Sequence, residues 1–181
     1  MKHSTDIQIL IADDHKMVRN GLRLMLTMQS GEYNFLITEA DNGNDAIKKV
    51  VKKDFDIILI DYQMPGFNGD VVISRILMHK PKSKIIILSN YDEKGFIQSC
   101  VRNGAKGYIL KDIETDELLE AIETVLDKGT YFSGIVEEKL YDEEDTESQK
   151  YYTAEKMGLS ARELEILQLI AKENTNEEIS K

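Results

Sequence analysis

Strand-like and helix-like patterns alternate five times over residues 7–129 of this 181-residue chain, and this alternation constrains the fold more than any other feature. After each strand-like run comes a segment whose apolar side chains recur at helical spacing, for example Val18, Leu22 and Met25. Such alternation builds a parallel sheet that helices cover on both faces. We therefore predict an α/β fold with a five-stranded parallel sheet. The predicted strands are residues 7–12, 35–40, 55–60, 84–88 and 107–110.

Composition narrows the class of protein that the chain can be. The net charge of −10 argues against broad nonspecific binding to nucleic acid, whose phosphates repel a negative surface. The single cysteine, Cys100, cannot form an internal disulfide, which is typical of a reducing cytosol. No apolar segment is long enough to cross a bilayer, and no apolar signal segment follows the first residues. We expect a cytoplasmic protein with no membrane partner.

The regular alternation stops near Gly129, and the character of the chain then changes twice. Residues 131–157 carry eight acidic side chains against three lysines, so we interpret them as a solvated acidic linker with a short helix near residues 135–141. A new helix is predicted to begin at Leu159, with Ser160 as a good N-cap and Glu163 completing a capping box. The predicted divisions of the chain are residues 1–130, 131–157 and 158–181.

Polar residues follow four of the predicted strands at the point where each strand ends. The run DFDIILIDYQMPG loses its apolar character at Asp61, directly before a Met-Pro-Gly turn. Asp13 and Asp14 follow the first strand, Ser89 follows the fourth and Lys111 follows the fifth. Ligands of open α/β sheets bind beyond these strand ends, where the strand order reverses. In the order 2-1-3-4-5, Asp13 and Asp14 would face Asp61 across that crevice.

These strand ends supply the chemistry of a phosphoryl site. Two carboxylates about 4 Å apart repel by roughly 4 kcal/mol at an effective dielectric constant near 20, so the acids need a cation. A carboxylate-rich site without a cluster of histidines or cysteines suits Mg²⁺. The Lys111 ammonium and the Ser89 hydroxyl complete a cradle for a phosphoryl group. Asp61 is then predicted to be a carboxylate nucleophile that forms an acyl phosphate.

Each of these residues also has an ordinary structural interpretation. An aspartate such as Asp61 often closes a strand, and Asp13 or Asp14 could cap the first helix. Lys111 could be a surface lysine. His15, beside the acids, is expected in the first helical turn rather than as a metal ligand. Because four strand ends supply complementary chemistry at once, the phosphoryl site is the favoured interpretation.

Four motifs make the chain similar to a known family. They are ADD at 12–14, DYQMPGFNG at 61–69, LSN at 88–90 and GYILKD at 107–112. With these motifs, residues 7–129 resemble the flavodoxin-like, five-fold βα receiver domain of bacterial two-component response regulators. The opening ADDH and the later run LSARELEILQLIAKENTNEEISK resemble the NarL and FixJ branch, whose output is a LuxR-type helix-turn-helix that binds DNA and regulates transcription.

The resemblance implies a role for each residue of the site. Asp61 would accept phosphate from a sensor histidine kinase. Together with Asp61, Asp14 would bind Mg²⁺ directly, Asp13 would bind it through a water, and Gln63 would offer its backbone carbonyl. Such a protein signals rather than acting as an enzyme, so only self-directed phosphotransfer and autodephosphorylation are expected.

The resemblance also implies a switch and an output. Lys111 would pair with the phosphoryl group, while the Ser89 hydroxyl moves toward it and Tyr108 turns inward behind. Relatives self-associate when phosphorylated, so a homodimer is implied. A LuxR-type unit has four helices and reads bases with its third, whereas Lys181 falls inside the second. We therefore expect DNA binding from the full-length protein and not from these 181 residues.

Two other functions remain open at this point. A phosphatase of the haloacid dehalogenase type also forms an aspartyl phosphate on a parallel sheet, but its nucleophile closes the first strand in a DxD pattern. Here the first strand is followed by adjacent acids, Asp13 and Asp14, and the best nucleophile follows the third strand. A pseudo-receiver, which is a binding module that never takes up phosphate, is the other alternative. The complete set of Asp61, Lys111 and Ser89 argues against it.

Overall fold

The computed structural model describes residues 5–28, 33–127 and 129–141 of the chain. The strands are β1 Thr5–Ala12, β2 Tyr33–Ala40, β3 Ile57–Asp61, β4 Gln63–Met64, β5 Phe67–Asn68, β6 Ile85–Ser89, β7 Gly107–Leu110 and β8 Tyr131–Phe132. The helices are α1 Lys16–Thr27, α2 Gly43–Lys52, α3 Gly69–His79, α4 Lys94–Arg102, α5 Thr115–Asp127 and α6 Gly134–Tyr141. None of these described helices has the length and apolar character that crossing a membrane requires.

The main sheet is wholly parallel and has six strands in the order β2-β1-β3-β6-β7-β8. The predicted α/β class is confirmed, and the five longer strands follow the order 2-1-3-4-5. The prediction of a five-stranded sheet is wrong by one strand. β8 adds the sixth by pairing Tyr131 with Gly107 and Phe132 with Tyr108. A strand of two residues is too short to produce an alternating pattern, so periodicity could not indicate it.

The sheet separates two apolar layers, because successive side chains of a strand point to opposite faces. In β1, Leu10 packs into the layer beneath α2, α3 and α4, whereas Ile9 and Ile11 pack into the layer beneath α1 and α5. All five residues of β3 are buried, as expected for a strand covered on both faces. Full burial of one isoleucine side chain contributes about 1.5–3 kcal/mol. These layers hold the strand ends in fixed positions.

Residues 131–141, predicted as the start of a solvated linker, pack against the rest of the domain instead. α6 lies where a helix was predicted near residues 135–141. Val136 of this helix is fully buried, and Leu140 packs against the apolar layer to which α4 also contributes. The acidic composition of the segment hid this packing, because only two apolar side chains anchor the helix.

Two predictions concern parts of the chain outside the described residues. One is the remainder of the acidic linker, residues 142–157, and the other is the helical segment at 158–181 with its cap at Ser160. The division of the chain at residue 157 lies outside the described residues as well. The division at residue 130 falls directly before β8 and stays a prediction.

Candidate functional site

Four parallel strands deliver the predicted site residues to one edge of the sheet. β3 ends at Asp61 and β6 ends at Ser89, while Asp13 directly follows β1 and Lys111 directly follows β7. The four strands are consecutive neighbours in the sheet. Their carboxyl ends therefore form one continuous edge, and the strand order reverses at β1 and β3, where an open α/β sheet binds its ligands.

Lys111 lies between two buried carboxylates. Its Nζ is 2.7 Å from Asp13 Oδ2 and 2.8 Å from Asp61 Oδ2. Backbone amides add one hydrogen bond to each acid, from His15 to Asp13 Oδ1 at 2.7 Å and from Gln63 to Asp61 Oδ1 at 3.2 Å. The side chains of Asp13 and Asp61 are only 1% and 5% exposed. One ammonium thus pairs with two carboxylates, and the three groups together keep a net negative charge in a place that little water reaches.

Burial also changes the proton affinity of this group of residues. Desolvation raises the pKa of Asp61, against the hydrogen bond and charge of Lys111, and the Asp13 carboxylate raises it further. For Lys111, burial acts to lower the pKa, but its bonds to Asp13 and Asp61 outweigh burial, and the pKa is raised. The ammonium therefore stays charged at neutral pH. Ionised Asp61 is strained electrostatically, and a second cation would relieve that strain.

Asp14 and His15 extend the site beyond Lys111. Asp14 Oδ1 is shielded from solvent and receives no hydrogen bond from the described residues, although His15 Nδ1 lies 2.9 Å away. Carboxylate oxygens of Asp13, Asp14 and Asp61, which we call the acidic cluster, lie within 4.8 Å of one another and of a ring nitrogen of His15. A shielded carboxylate oxygen close to two further carboxylates suits a hard divalent cation. The donor atoms therefore fit the predicted Mg²⁺.

The hairpin of β4 and β5 holds the backbone beside Asp61. Its Met-Pro-Gly turn places Gly66 at φ +92°, in the left-handed region that glycine favours. The Gly69 amide then donates to the Tyr62 carbonyl at 2.6 Å, and a Cβ on Gly69 would lie only 3.0 Å from Tyr62 Cα. The chain thus folds back tightly after Asp61. This turn fixes the backbone of Gln63, whose predicted role as a carbonyl ligand stays a prediction.

Ser89 and Tyr108, the predicted switch pair, both bond to the backbone of Tyr91, and their predicted movement stays a prediction. Ser89 Oγ accepts a hydrogen bond from the Tyr91 amide at 2.9 Å. The Tyr108 hydroxyl donates to the Tyr91 carbonyl at 2.7 Å, so the tyrosine that was predicted to turn inward is already fully buried. Desolvation strongly raises the pKa of Tyr108. Its hydroxyl therefore stays protonated and acts as a donor.

No sequence pattern indicated a role for Tyr91, and whether His15 is a metal ligand stays untested. Tyr91 joins the switch pair to the hairpin, because its hydroxyl donates to Gln63 Oε1 at 2.7 Å. An aromatic residue two positions after a strand carries no signal of such a role. His15 was expected in the first turn of α1, whereas it is the N-cap residue, and its ring faces the acids. Its position directly after two aspartates was the one available indication.

A cleft of about 370 Å³ opens beside Asp61. Polar lining comes from Gln63, Asn90, Tyr91 and Lys111, and an apolar wall comes from α1 and from Ile113 after β7. The volume lies at the low end of ligand pockets. A small phosphorylated molecule, or one side chain of a partner protein, is the size of group that such a cleft admits.

Comparisons with known proteins agree with this geometry. The family described as "Response regulator receiver domain" matches residues 9–123. The oxygen regulatory protein NreC of Staphylococcus carnosus is 38% identical over 178 residues, which are 96% of this chain and 81% of that protein. The NreC protein of Staphylococcus aureus strain MRSA252 is 39% identical over the same share of both chains.

A solved structure agrees as well. The signal receiver domain of the response regulator NarL from Mycobacterium tuberculosis superposes with a TM-score of 0.62 and 28% identity, over 67% of this chain and 97% of that one. Neither a haloacid dehalogenase phosphatase nor a pseudo-receiver is favoured by these likenesses. The chain belongs to the response regulators of two-component signalling and carries their receiver domain.

Proposed function

We propose that Asp61 accepts a phosphoryl group from a sensor histidine kinase and that the resulting acyl phosphate controls a DNA-binding output. The observation that carries this proposal is the Lys111 ammonium, 2.8 Å from Asp61 Oδ2 and 2.7 Å from Asp13 Oδ2 at the carboxyl edge of the sheet. A cation fixed beside a buried carboxylate can stabilise the charge of an incoming phosphoryl group without reorganising.

The acidic cluster would hold Mg²⁺, with Asp14 and Asp61 as direct ligands, Asp13 acting through a water and the Gln63 carbonyl as a backbone ligand. Support comes from the negative charge that Lys111 leaves unbalanced and from the shielded Asp14 Oδ1. When bound, the metal would supply positive charge toward the phosphoryl oxygens. An oxygen-rich site of this kind is typical of Mg²⁺ rather than of softer metals.

The reaction needs one nucleophile and no further cofactor. A carboxylate oxygen of Asp61 attacks phosphorus, the bond from phosphorus to the donor atom breaks, and the electron pair leaves with the donor, which is an imidazole nitrogen in a kinase. Lys111 then pairs with the new acyl phosphate. Of the three acids, Asp61 is the one that lines the cleft, so an incoming phosphoryl group reaches its carboxylate first. The chain acts on itself alone, by phosphotransfer and later by autodephosphorylation.

Ser89 and Tyr108 would report the phosphoryl group to the rest of the protein, and a homodimer of phosphorylated receivers would suit paired DNA half-sites. The likeness to a LuxR-family protein supports the output: the DNA-binding response regulator of Staphylococcus aureus is 28% identical over 67% of this chain, with a TM-score of 0.61. Residues 131–157 would connect the receiver to that output, whose first part would be residues 158–181. A cytoplasmic location fits a kinase partner of this type.

The test is to incubate the chain with Mg²⁺ and acetyl phosphate and to map the modified residue by mass spectrometry after borohydride trapping. One phosphoryl group is expected on Asp61. Asp61→Asn should abolish labelling, whereas Asp116→Asn, which changes an exposed aspartate on α5, should not. Unchanged labelling of the Asp61→Asn variant, or labelling of Asp13 instead, would refute the assignment.

A further inference from the structure

α6 is seated on the switch side of the domain. It contacts α4, buries Val136 completely and lines a shallow groove with α4 through Leu140. Its Lys139 forms an ion pair with Asp92, which lies in the loop between β6 and α4. The hydrogen bond from Lys139 lowers the pKa of Asp92, so this carboxylate is ionised at neutral pH. α6 is therefore attached at two points, one apolar and one ionic.

The ionic attachment adjoins the residue on which the switch pair meets. Asp92 directly follows Tyr91, whose amide donates to Ser89 Oγ at 2.9 Å and whose carbonyl accepts from the Tyr108 hydroxyl at 2.7 Å. The Tyr91 hydroxyl also donates to Gln63 Oε1 at 2.7 Å. The loop between β6 and α4 is thus fixed by the phosphorylation site on one side and by α6 on the other.

We infer that α6 is a latch that is closed in the unphosphorylated receiver and is released when Asp61 is phosphorylated. The inference rests on the proposed function, since it needs a phosphoryl group on Asp61. A Ser89 hydroxyl that turns to that group has to leave the amide of Tyr91. The loop then loses a hydrogen bond that fixes Asp92, and the ion pair with Lys139 loses its geometry.

The contacts of the latch are suited to release rather than to permanent attachment. The side chains of Lys139 and Asp92 are 37% and 48% exposed, so water competes for both charges, and such pairs contribute little by themselves. Val136 supplies most of the apolar anchor. A switch element drawn from the weakly held part of a structure is expected to open at a small change in its surroundings.

Hydrogen exchange of the 181-residue chain with Mg²⁺, with and without beryllofluoride as phosphoryl mimic, tests the latch. We expect beryllofluoride to slow exchange at residues 61–69 and to speed exchange at residues 134–141 by several-fold. If residues 61–69 respond while 134–141 do not, the latch is refuted and the proposed function stands. If beryllofluoride leaves residues 61–69 unchanged as well, both proposals fail.

The Lys139→Met variant adds a reciprocal test, because two coupled equilibria must affect each other by the same factor. Loss of the ion pair should open α6 and tighten beryllofluoride binding by about two- to fivefold, as measured by titration calorimetry. The control is Lys82→Met, a lysine that is exposed in the loop between α3 and β6. Equal affinities of Lys139→Met and the control would overturn the coupling.

The Ser89→Ala variant tests the route. It removes the acceptor of the Tyr91 amide in every state, so residues 134–141 should exchange faster even without beryllofluoride, and added beryllofluoride should change their exchange little. Slow exchange of residues 134–141 in Ser89→Ala without beryllofluoride, followed by the same increase with it as in the unmodified chain, would show that the signal does not pass through Tyr91.

Discussion

The acidic cluster with Lys111 and the loop around Tyr91 are neighbouring regions that are built on different principles. In the first, side-chain charges are buried at the ends of rigid strands, and Lys111 forms ion pairs with two carboxylates. In the second, neutral hydroxyls bond to backbone atoms, as Tyr108 does to the Tyr91 carbonyl. The buried charges determine the chemistry of the site. The backbone hydrogen bonds determine which part of the loop changes position when that chemistry takes place. The first region should therefore tolerate little change, and the second should tolerate more.

The largest effect is expected from Lys111→Met. Without the ammonium, Asp13 and Asp61 face each other with no cation from the chain, and breaking a buried pair in this way costs about 3 kcal/mol in the free energy of unfolding. Urea denaturation without Mg²⁺ measures the loss, and added Mg²⁺ should restore part of it. A stability equal to that of Lys82→Met would contradict the view that the acidic cluster is buried and short of positive charge.

Asp61→Asn should have a smaller effect than Lys111→Met, and it should raise the free energy of unfolding rather than lower it. Because burial raises the pKa of Asp61 in the folded state, the folded protein binds this proton more tightly than the unfolded chain does. The contribution of Asp61 to stability therefore falls as pH rises from the ordinary aspartate pKa through the raised one. Without Mg²⁺, Asp61→Asn should be the more stable protein at pH 7, and its advantage should shrink toward pH 4. Thermal denaturation across that range checks the sign, and an advantage that grows toward pH 4 would contradict it.

In the loop region, Tyr108→Phe should cost about 1 kcal/mol in the free energy of unfolding, since the half-buried Tyr91 carbonyl loses its donor. Labelling by acetyl phosphate should fall far less than in Lys111→Met, because Tyr108 makes no bond to the acidic cluster in the described residues. Urea denaturation and labelling rates, measured side by side, would separate the two regions. A loss of labelling as large as that of Lys111→Met would contradict the distinction between the acidic cluster and the loop.

The smallest effect is expected from Tyr91→Phe. The change removes the hydroxyl that donates to Gln63 Oε1 but keeps the ring, whose centroid is 5.5 Å from that of Phe96. Stability should fall by about 0.5 kcal/mol, the low end for one hydrogen bond. A fall of more than about 2 kcal/mol in urea denaturation would indicate that the hairpin and the loop form one rigid unit.

The same difference explains what the sequence could predict. The alternation of patterns was sufficient for the parallel sheet, and strand ends were sufficient to bring Asp13, Asp61 and Lys111 together. Both follow from side-chain type and spacing. Tyr91 could not be predicted in this way, because two of its bonds use backbone atoms that every residue possesses. α6 was recognised as helical, but the packing of Val136 depends on tertiary contacts that composition does not encode.

The sixth strand has a practical consequence for any isolated form of this domain. β7 is four residues long, and β8 covers its outer side through Gly107 and Tyr108. A protein cut after residue 130 would lose β8 and leave β7 as a bare sheet edge, and an uncovered edge invites pairing with the edge of another molecule. Such a fragment is expected to aggregate at concentrations where a fragment ending at residue 141 stays monodisperse. The domain that the receiver motifs delimit is thus shorter than the piece that can be handled alone.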